Sequence, residues 1–340
     1  MPKQPAGGKA GAGTDSGRVT SADVARLAGV SRATVSQILN QQVARFSADT
    51  VQRVRASAAT LGYVRSAAGR ALVKGHSDFI VLVVPYTTFP KLQDVVEALS
   101  VDLEEIGFSV VVHFSIPRAP GAMPGRLHHL VMALRPAGVV DLGGLSDDDI
   151  GFMEGAGCPV VPRERLDYNS SIGRLQARHL HDRGYTEIAY AFLSDARDDA
   201  YGQERARAVS EFCAARGLAQ PAYFHVPIEA DGAQRELGRL LGRRRRPVGI
   251  ACYNDVVGVA LVFAAQRLGL AVPGDVAVIG AEDVDVGQLI SPRLTTVASD
   301  VSGVLLHIRN ALARTYEGLA SPGEVPPPEE SFTLVLGETT

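Results

Sequence analysis

From Ser77 onward the chain alternates between two hydrophobic periods. Predominantly apolar runs of strand length fall at 79–84, 108–114, 138–142, 187–193, 222–226, 248–252 and 276–279. Between them, apolar positions recur at helical spacing over 91–106, 169–183, 203–216, 232–242 and 255–268. A strand that is apolar all along is covered on both faces, so the alternation predicts parallel sheets flanked by helices. Two such sets in succession predict two doubly wound lobes with a cleft between them.

Ahead of Ser77 the pattern is helical only. Thr20 is placed to cap a first helix, with Asp23 three residues on as the reciprocating acid. Gly29 ends that helix, and Ser31 caps the next. On the second helix Val35, Ile38 and Leu39 form one apolar face, and Arg32, Ala33, Ser36, Gln37 and Asn40 fall on the other. Two short helices joined by a tight glycine turn predict a helix-turn-helix, although a plain helical hairpin in a larger core would show the same spacing. A third helix is predicted over 47–62, capped by Ser47, apolar at Val51, Val54, Ala58 and Leu61, and stopped by Gly62. Residues 1–17 are Gly, Ala, Pro, Lys and Ser with almost no apolar bulk, and are expected to be a disordered tail.

The distribution of charge separates the hairpin reading from the DNA-binding one. The net charge of −3 does not by itself suggest a nucleic-acid partner. Residues 18–75, however, carry nine basic groups against Asp23 and Asp49 alone, for +7; residues 1–17 add +1, which leaves −11 for the remaining 265. A basic head on an acidic body is the footprint of a DNA-binding module attached to something else. Composition adds exclusions. No apolar run approaches a membrane span, the N-terminus has no apolar signal core, and Cys158, Cys213 and Cys252 form neither a metal-ligand spacing nor a disulfide framework. A cytoplasmic protein with no membrane partner and no metal or other cofactor is expected. There is no Walker loop, nucleophile elbow or metal-spaced His/Cys set, so an enzyme is not expected. His128 and His129 fall on different helix faces, and Asp147, Asp148 and Asp149 read as caps in a turn.

The ordered series Asp23-Val24-Ala25, Ala28-Gly29-Val30-Ser31, Thr34-Val35-Ser36 and Leu39-Asn40 resembles the helix-turn-helix of the LacI/GalR family of bacterial transcription repressors. Further along, Leu61-Gly62-Tyr63, Asn169 with Arg174-Leu175 and His179-Leu180, Gly184-Tyr185, Glu204-Arg205, Asn254-Asp255, Val272-Pro273 with Asp275-Val276, and Leu294-Thr295-Thr296-Val297 fit motifs of the same family. The resemblance spans most of residues 18–335. It implies a helix-turn-helix DNA-binding domain at 18–64, a hinge helix or linker at 65–76, and an effector-binding and dimerisation domain at 77–337, similar to a periplasmic binding protein. The two parallel-sheet lobes would be 77–166 with 299–320, and 167–298 with 321–337.

By position, the resemblance implies DNA contacts from Thr20, Ser31, Arg32, Ala33, Thr34, Ser36, Gln37, Asn40, Arg70 and Leu72; Arg65, which stands in place of the family's proline, is a candidate for extra phosphate attraction. Leu72 matches a leucine that wedges into the minor groove. Arg32, Ala33 and Gln37 would read base edges, and Gln37 favours adenine where arginine favours guanine. Effector contacts are implied for Arg205, Asn254 and Glu282, with ordinary ion pairing or strand-end capping as the bland alternative; in a chain without tryptophan, Tyr86, Phe89 and Tyr253 are the candidates to stack on a sugar face, with a place in the core as theirs. Departures from the pattern are Arg65 for the usual proline, Gly69 for an alanine, Tyr168 for an aspartate, Glu282 for an aspartate, the turn from Tyr86 through Phe89 to Lys91, and the compressed segment 161–166. The expected partners are therefore operator double-stranded DNA, a second copy of the chain and a small-molecule effector, with a sugar as the default. The alternatives are a regulator with a vestigial or non-sugar cleft and, from another class, a solute-binding protein.

Overall fold

The computed structural model describes residues 19–39, 43–63, 75–85, 92–115, 125–164, 167–194, 200–243, 246–319, 321 and 323–340. The positions named above as Asn40, Arg65, Arg70, Leu72, Tyr86 and Phe89, and the tail 1–17, lie outside these residues. The chain divides into two compact units, Met1–Gly75 and His76–Thr340.

In the first unit, α1 is Ser21–Ala28, α2 is Arg32–Leu39 and α3 is Ala48–Thr60. Thr20 and Asp23 form a reciprocal capping box, in which Thr20 N donates to Asp23 Oδ2 at 3.0 Å and Asp23 N donates to Thr20 Oγ1 at 3.4 Å. Gly29 closes α1 at φ 66°, in the left-handed region that a side chain would disfavour. Ser47 caps α3 by accepting from Thr50 N. The three helices close over Val24, Ala25, Ala28, Val35, Ile38, Val54 and Ala58. Val24, Val35, Ile38 and Val54 are almost wholly buried. Each of these four contributes about 1.5–3 kcal/mol of burial to the small core.

The second unit contains two parallel sheets. In the first lobe β1 (Phe79–Pro85), β2 (Ser109–Ser115), β3 (Gly138–Asp141) and β4 (Val160–Val161) lie in the order β2-β1-β3-β4. Alternate residues of β1 serve opposite faces. Ile80, Leu82 and Val84 pack with α4 (Leu92–Glu105) and with α12 (Ser302–Thr315), which returns from late in the chain. Val81 and Val83 pack with α5 (Arg126–Leu134) and α6 (Asp147–Gly155). The acids 147–149 form the first turn of α6, but the cap itself is Ser146, which Asp149 reciprocates. His128 is buried against Asp149 (Nε2 to Oδ1, 2.8 Å) and His129 is exposed.

In the second lobe β5 (Glu187–Leu193), β6 (Ala222–Val226), β7 (Val248–Cys252) and β8 (Val276–Ile279) lie in the order β6-β5-β7-β8. They are covered by α7 (Tyr168–Asp182), α8 (Ala200–Ala215), α9 (Ala230–Leu241) and α10 (Asp255–Arg267), around one large core. A short α11 (Asp285–Leu289) follows β8. The chain then forms β9 (Thr296–Ser299), which pairs antiparallel with β10 (Phe332–Val335). Both β1 and β7 are buried along almost their whole length, as the continuous apolar runs require.

Candidate DNA-binding face and inter-lobe cleft

The first unit presents α2 as a two-faced helix. Ser31 Oγ accepts from Thr34 N at 3.1 Å and lies 2.9 Å from Thr34 Oγ1, so both hydroxyls organise the start of the helix. Val35 and Ile38 are buried, while Arg32, Ala33, Ser36 and Gln37 are exposed on the opposite side. Thr20 lies at the start of α1, where its hydroxyl donates to Asp23 Oδ2 at 2.7 Å. That hydrogen bond, more than the neighbouring Arg26, holds the Asp23 carboxyl below its usual range. Asp23 pairs with Arg26 and Asp49 with Arg53. Arg32, Arg45 and Arg55 remain exposed, so the surface keeps its positive excess.

In the second unit the polar groups gather where strands β5, β7 and β8 end. Arg205 projects from α8 and is 2% exposed. Its Nη1 donates to the Tyr253 carbonyl at 2.6 Å, its Nε donates to Asn169 Oδ1 at 3.2 Å, and Glu282 Oε1 lies 3.7 Å from Nη1. The guanidinium also sits over the Tyr253 ring, 5.2 Å from its centroid. A cation this deeply buried is tolerated only with such partners. Asn254 is fully buried and caps α10, its Oδ1 accepting from Val257 N at 3.1 Å. Glu282 and Asp283 follow β8 at φ 98° and 53°. Two successive non-glycine residues at positive φ store backbone strain, a feature that concentrates at ligand sites.

Asp255 lies beneath this group. It accepts from Thr296 Oγ1 at 2.5 Å and from Val284 N at 2.7 Å. Burial nonetheless pushes its carboxyl up to about 7. From α8, one turn before Arg205, Tyr201 reaches the first lobe, where its hydroxyl donates to the Leu142 carbonyl. A Cβ at Gly143 would come within 2.8 Å of the Tyr201 Oη, so the ring depends on glycine there. Asp141, at the end of β3, accepts from the amides of Gly143, Gly144 and Leu145 and fixes that loop.

The structure thus brings Arg205, Tyr253, Asn254 and Glu282 together, and places Arg32, Ala33, Ser36 and Gln37 on one exposed face. Sequence reasoning passed over Tyr201 and, as a site residue, Asn169. A signal existed for Tyr201, since it precedes Arg205 by four residues and so shares its helix face. The contact between Asn169 and Arg205 joins different helices, so no local spacing announces it. Among the described residues no group of His, Cys, Asp and Glu could hold a metal ion, and no helix is long and apolar enough to cross a membrane.

Comparisons with known proteins match both units. Residues 20–66 match the family described as bacterial regulatory proteins, lacI family, and residues 177–340 match the periplasmic binding protein-like domain. The HTH-type transcriptional regulator GalR of Escherichia coli (strain K12) is 30% identical over 292 residues, covering 81% of this chain and 82% of that protein. The HTH-type transcriptional repressor PurR of Photobacterium profundum is 26% identical over 292 residues, covering 81% and 85%. A lac repressor dimer bound to operator and the anti-inducer ONPF superposes with TM-score 0.71 at 23% identity, covering 95% of this chain and 99% of that one. A complex of the transcriptional regulator CelR with cellobiose gives 0.58 at 25%, covering 95% and 100%. The relatives are transcriptional regulators rather than enzymes, and this chain belongs to the lacI family of bacterial regulatory proteins.

Proposed function

We propose that the protein is a cytoplasmic, dimeric repressor that reads a pseudopalindromic operator and is modulated by a small molecule, by default a sugar, held between the two lobes. The exposed Arg32–Ala33–Ser36–Gln37 face of α2, backed by buried Val35 and Ile38, carries this reading. A helix whose polar face is stiffened from behind and capped at its start is suited to lie in a major groove, where a two-fold dimer would meet two half-sites. Arginines of the first unit would supply salt-dependent affinity through phosphates. Arg65, Arg70 and Leu72, with Thr20, Ser31, Thr34 and Asn40, complete the proposed DNA contacts.

Dimerisation is supported by an apolar groove between α9 and α10. Ile228, Val256, Phe263 and Val286 are all exposed there. For the cleft, Arg205, Asn254, Glu282, Tyr253 and Tyr86 are the proposed effector contacts. A second reading, in which the cleft has lost its ligand, is favoured by the internal engagement of Arg205 with Tyr253, Asn169 and Glu282 and of Asn254 as a helix cap. Selection of bound DNA from a random pool tests the main proposal: an enriched inverted repeat supports it, and no enrichment removes it. Thermal-shift screening against sugars, nucleosides and small acids separates the two readings of the cleft, because a true ligand raises stability by mass action.

A further inference from the structure

We propose that Gln176 is a positioning residue for the cleft, a brace that holds together the two strand ends from which Asn254 and Glu282 emerge. Its significance rests on the reading of those two residues as effector contacts. The register between β7 and β8 runs from Val248↔Val276 to Ala251↔Ile279 and stops. Beyond it Tyr253 N turns to Ala191 O on one side, Gly280 N and Glu282 N turn to Thr295 O and Val297 O on the other, and the two chains meet again through Asp255 N, which donates to Ala281 O at 3.0 Å. The ladder is therefore interrupted between the Ala251–Ile279 pair and that bond, just before the functional residues. Gln176, from α7, fills the gap. Its Nε2 donates to Cys252 O and to Gly280 O, both at 2.8 Å, with Ile279 O at 3.5 Å. Each of the two shorter bonds falls two residues ahead of a cleft residue, Asn254 in one case and Glu282 in the other.

Burial argues that this amide is retained for those bonds. Gln176 is 0% exposed, and its Oε1 has no hydrogen-bond partner among the described residues. An aliphatic side chain would occupy the same buried site without an unanswered acceptor, so the amide contributes through its donors. The same face of α7 also holds Arg205. Asn169, two turns before Gln176, accepts from Arg205 Nε. Between them at Gly173 the helices touch so closely that a Cβ would come within 2.2 Å of Arg205 O. The Asn169–Gly173–Gln176 face of α7 thus sets the position of all three polar cleft groups, and α7 begins directly after the chain enters the second lobe.

Hydrogen–deuterium exchange on the full chain tests the brace without any ligand. Gln176→Met keeps size and removes the donors. Amides at 253–256 and 280–284 should exchange about tenfold faster or more, while 188–191 and 276–279 keep their wild-type rates. Gln176→Glu, which sets a carboxylate against two carbonyl oxygens, should show the same local pattern more strongly. In wild-type protein labelled with 15N-glutamine, both Gln176 Nε2 protons should exchange slowly. Unchanged local exchange in Gln176→Met, or acceleration spread evenly over residues 76–340, overturns the proposal; so does rapid exchange of the wild-type Nε2 protons, whether or not the variants fold. A thermal-shift screen that finds no ligand would remove the effector reading and leave the brace standing.

Discussion

Tyr201→Phe should loosen the closure of the two lobes while leaving each lobe intact. The perturbation is one oxygen atom. In the wild-type chain the Tyr201 hydroxyl, carried by α8 of the second lobe, donates to the Leu142 carbonyl of the first, and the ring lies against Gly143. Phenylalanine preserves the ring and its packing. What is lost is one neutral hydrogen bond, a net contribution of about 0.5–1.5 kcal/mol, because water can replace the donor at a half-buried site. That amounts to an increase of about two- to tenfold in the ratio of open to closed lobes. The ratio can be read from paired spin labels on cysteines introduced at the exposed Glu154 in α6 and Glu211 in α8. Native Cys158, Cys213 and Cys252 are buried, and burial raises each thiol, so labelling is selective. If the distance distribution of Tyr201→Phe superimposes on that of wild type, the tyrosine does not hold the lobes and the argument fails. Operator affinity should move by no more than the same factor, because coupling cannot exceed the free energy that carries it.

Gln37→Arg should shift the selected DNA sequence from adenine towards guanine at one symmetric pair of positions, and an unchanged selected-site profile would remove Gln37 from base reading. Phe263→Glu places a charge in the apolar groove between α9 and α10 and should shift sedimentation from dimer towards monomer at micromolar concentration; an unaffected dimer would place the interface elsewhere. Asp255 gives a pH signature. Its ordinary value is 3.8 and its buried value about 7, so between these the folded chain keeps a proton that the unfolded chain has lost. Stability from this group therefore falls as pH rises from about 4 to 7, by on the order of a few kcal/mol. Asp255→Asn should flatten that part of the urea-stability profile, and an unaltered slope would show that Asp255 is not its source.

How far the chain could be read in advance depended on whether a feature was local. The capping box at Thr20, the glycine stop at Gly29 and the apolar runs of β1 and β7 are set by neighbours within a few residues or by a strand period, and each was legible. Two short strands, β4 and β9, were not. The two-residue β4 carries no period of its own, and β9 forms by pairing with β10 more than thirty residues away. The same division runs through the cleft. Arg205 and Asn254 stand in recognisable motifs, but their environment is assembled by contacts such as Arg205 with Asn169 and Gln176 with Gly280, which join residues 36 and 104 positions apart. The proposed base-reading residues of the first unit share one helix face, whose polar and apolar sides follow from spacing, whereas the proposed effector residues of the second depend on the convergence of strand ends.

That difference bears on how a ligand would act. Arg205 is already engaged by a carbonyl, an amide oxygen and a carboxylate of its own chain, and Asn254 is engaged as a helix cap. A ligand entering this cleft exchanges internal hydrogen bonds for its own, and only the surplus appears as affinity. A weakly hydrogen-bonding ligand would gain little from Arg205, since it would leave the Tyr253 carbonyl or the buried Glu282 without an equal replacement. A ligand that offers several hydroxyls on one face can accept from Arg205 and donate to Glu282 together. A cleft engaged in this way would discriminate by the number of bonds returned, which keeps a polyhydroxylated compound as the first class to screen.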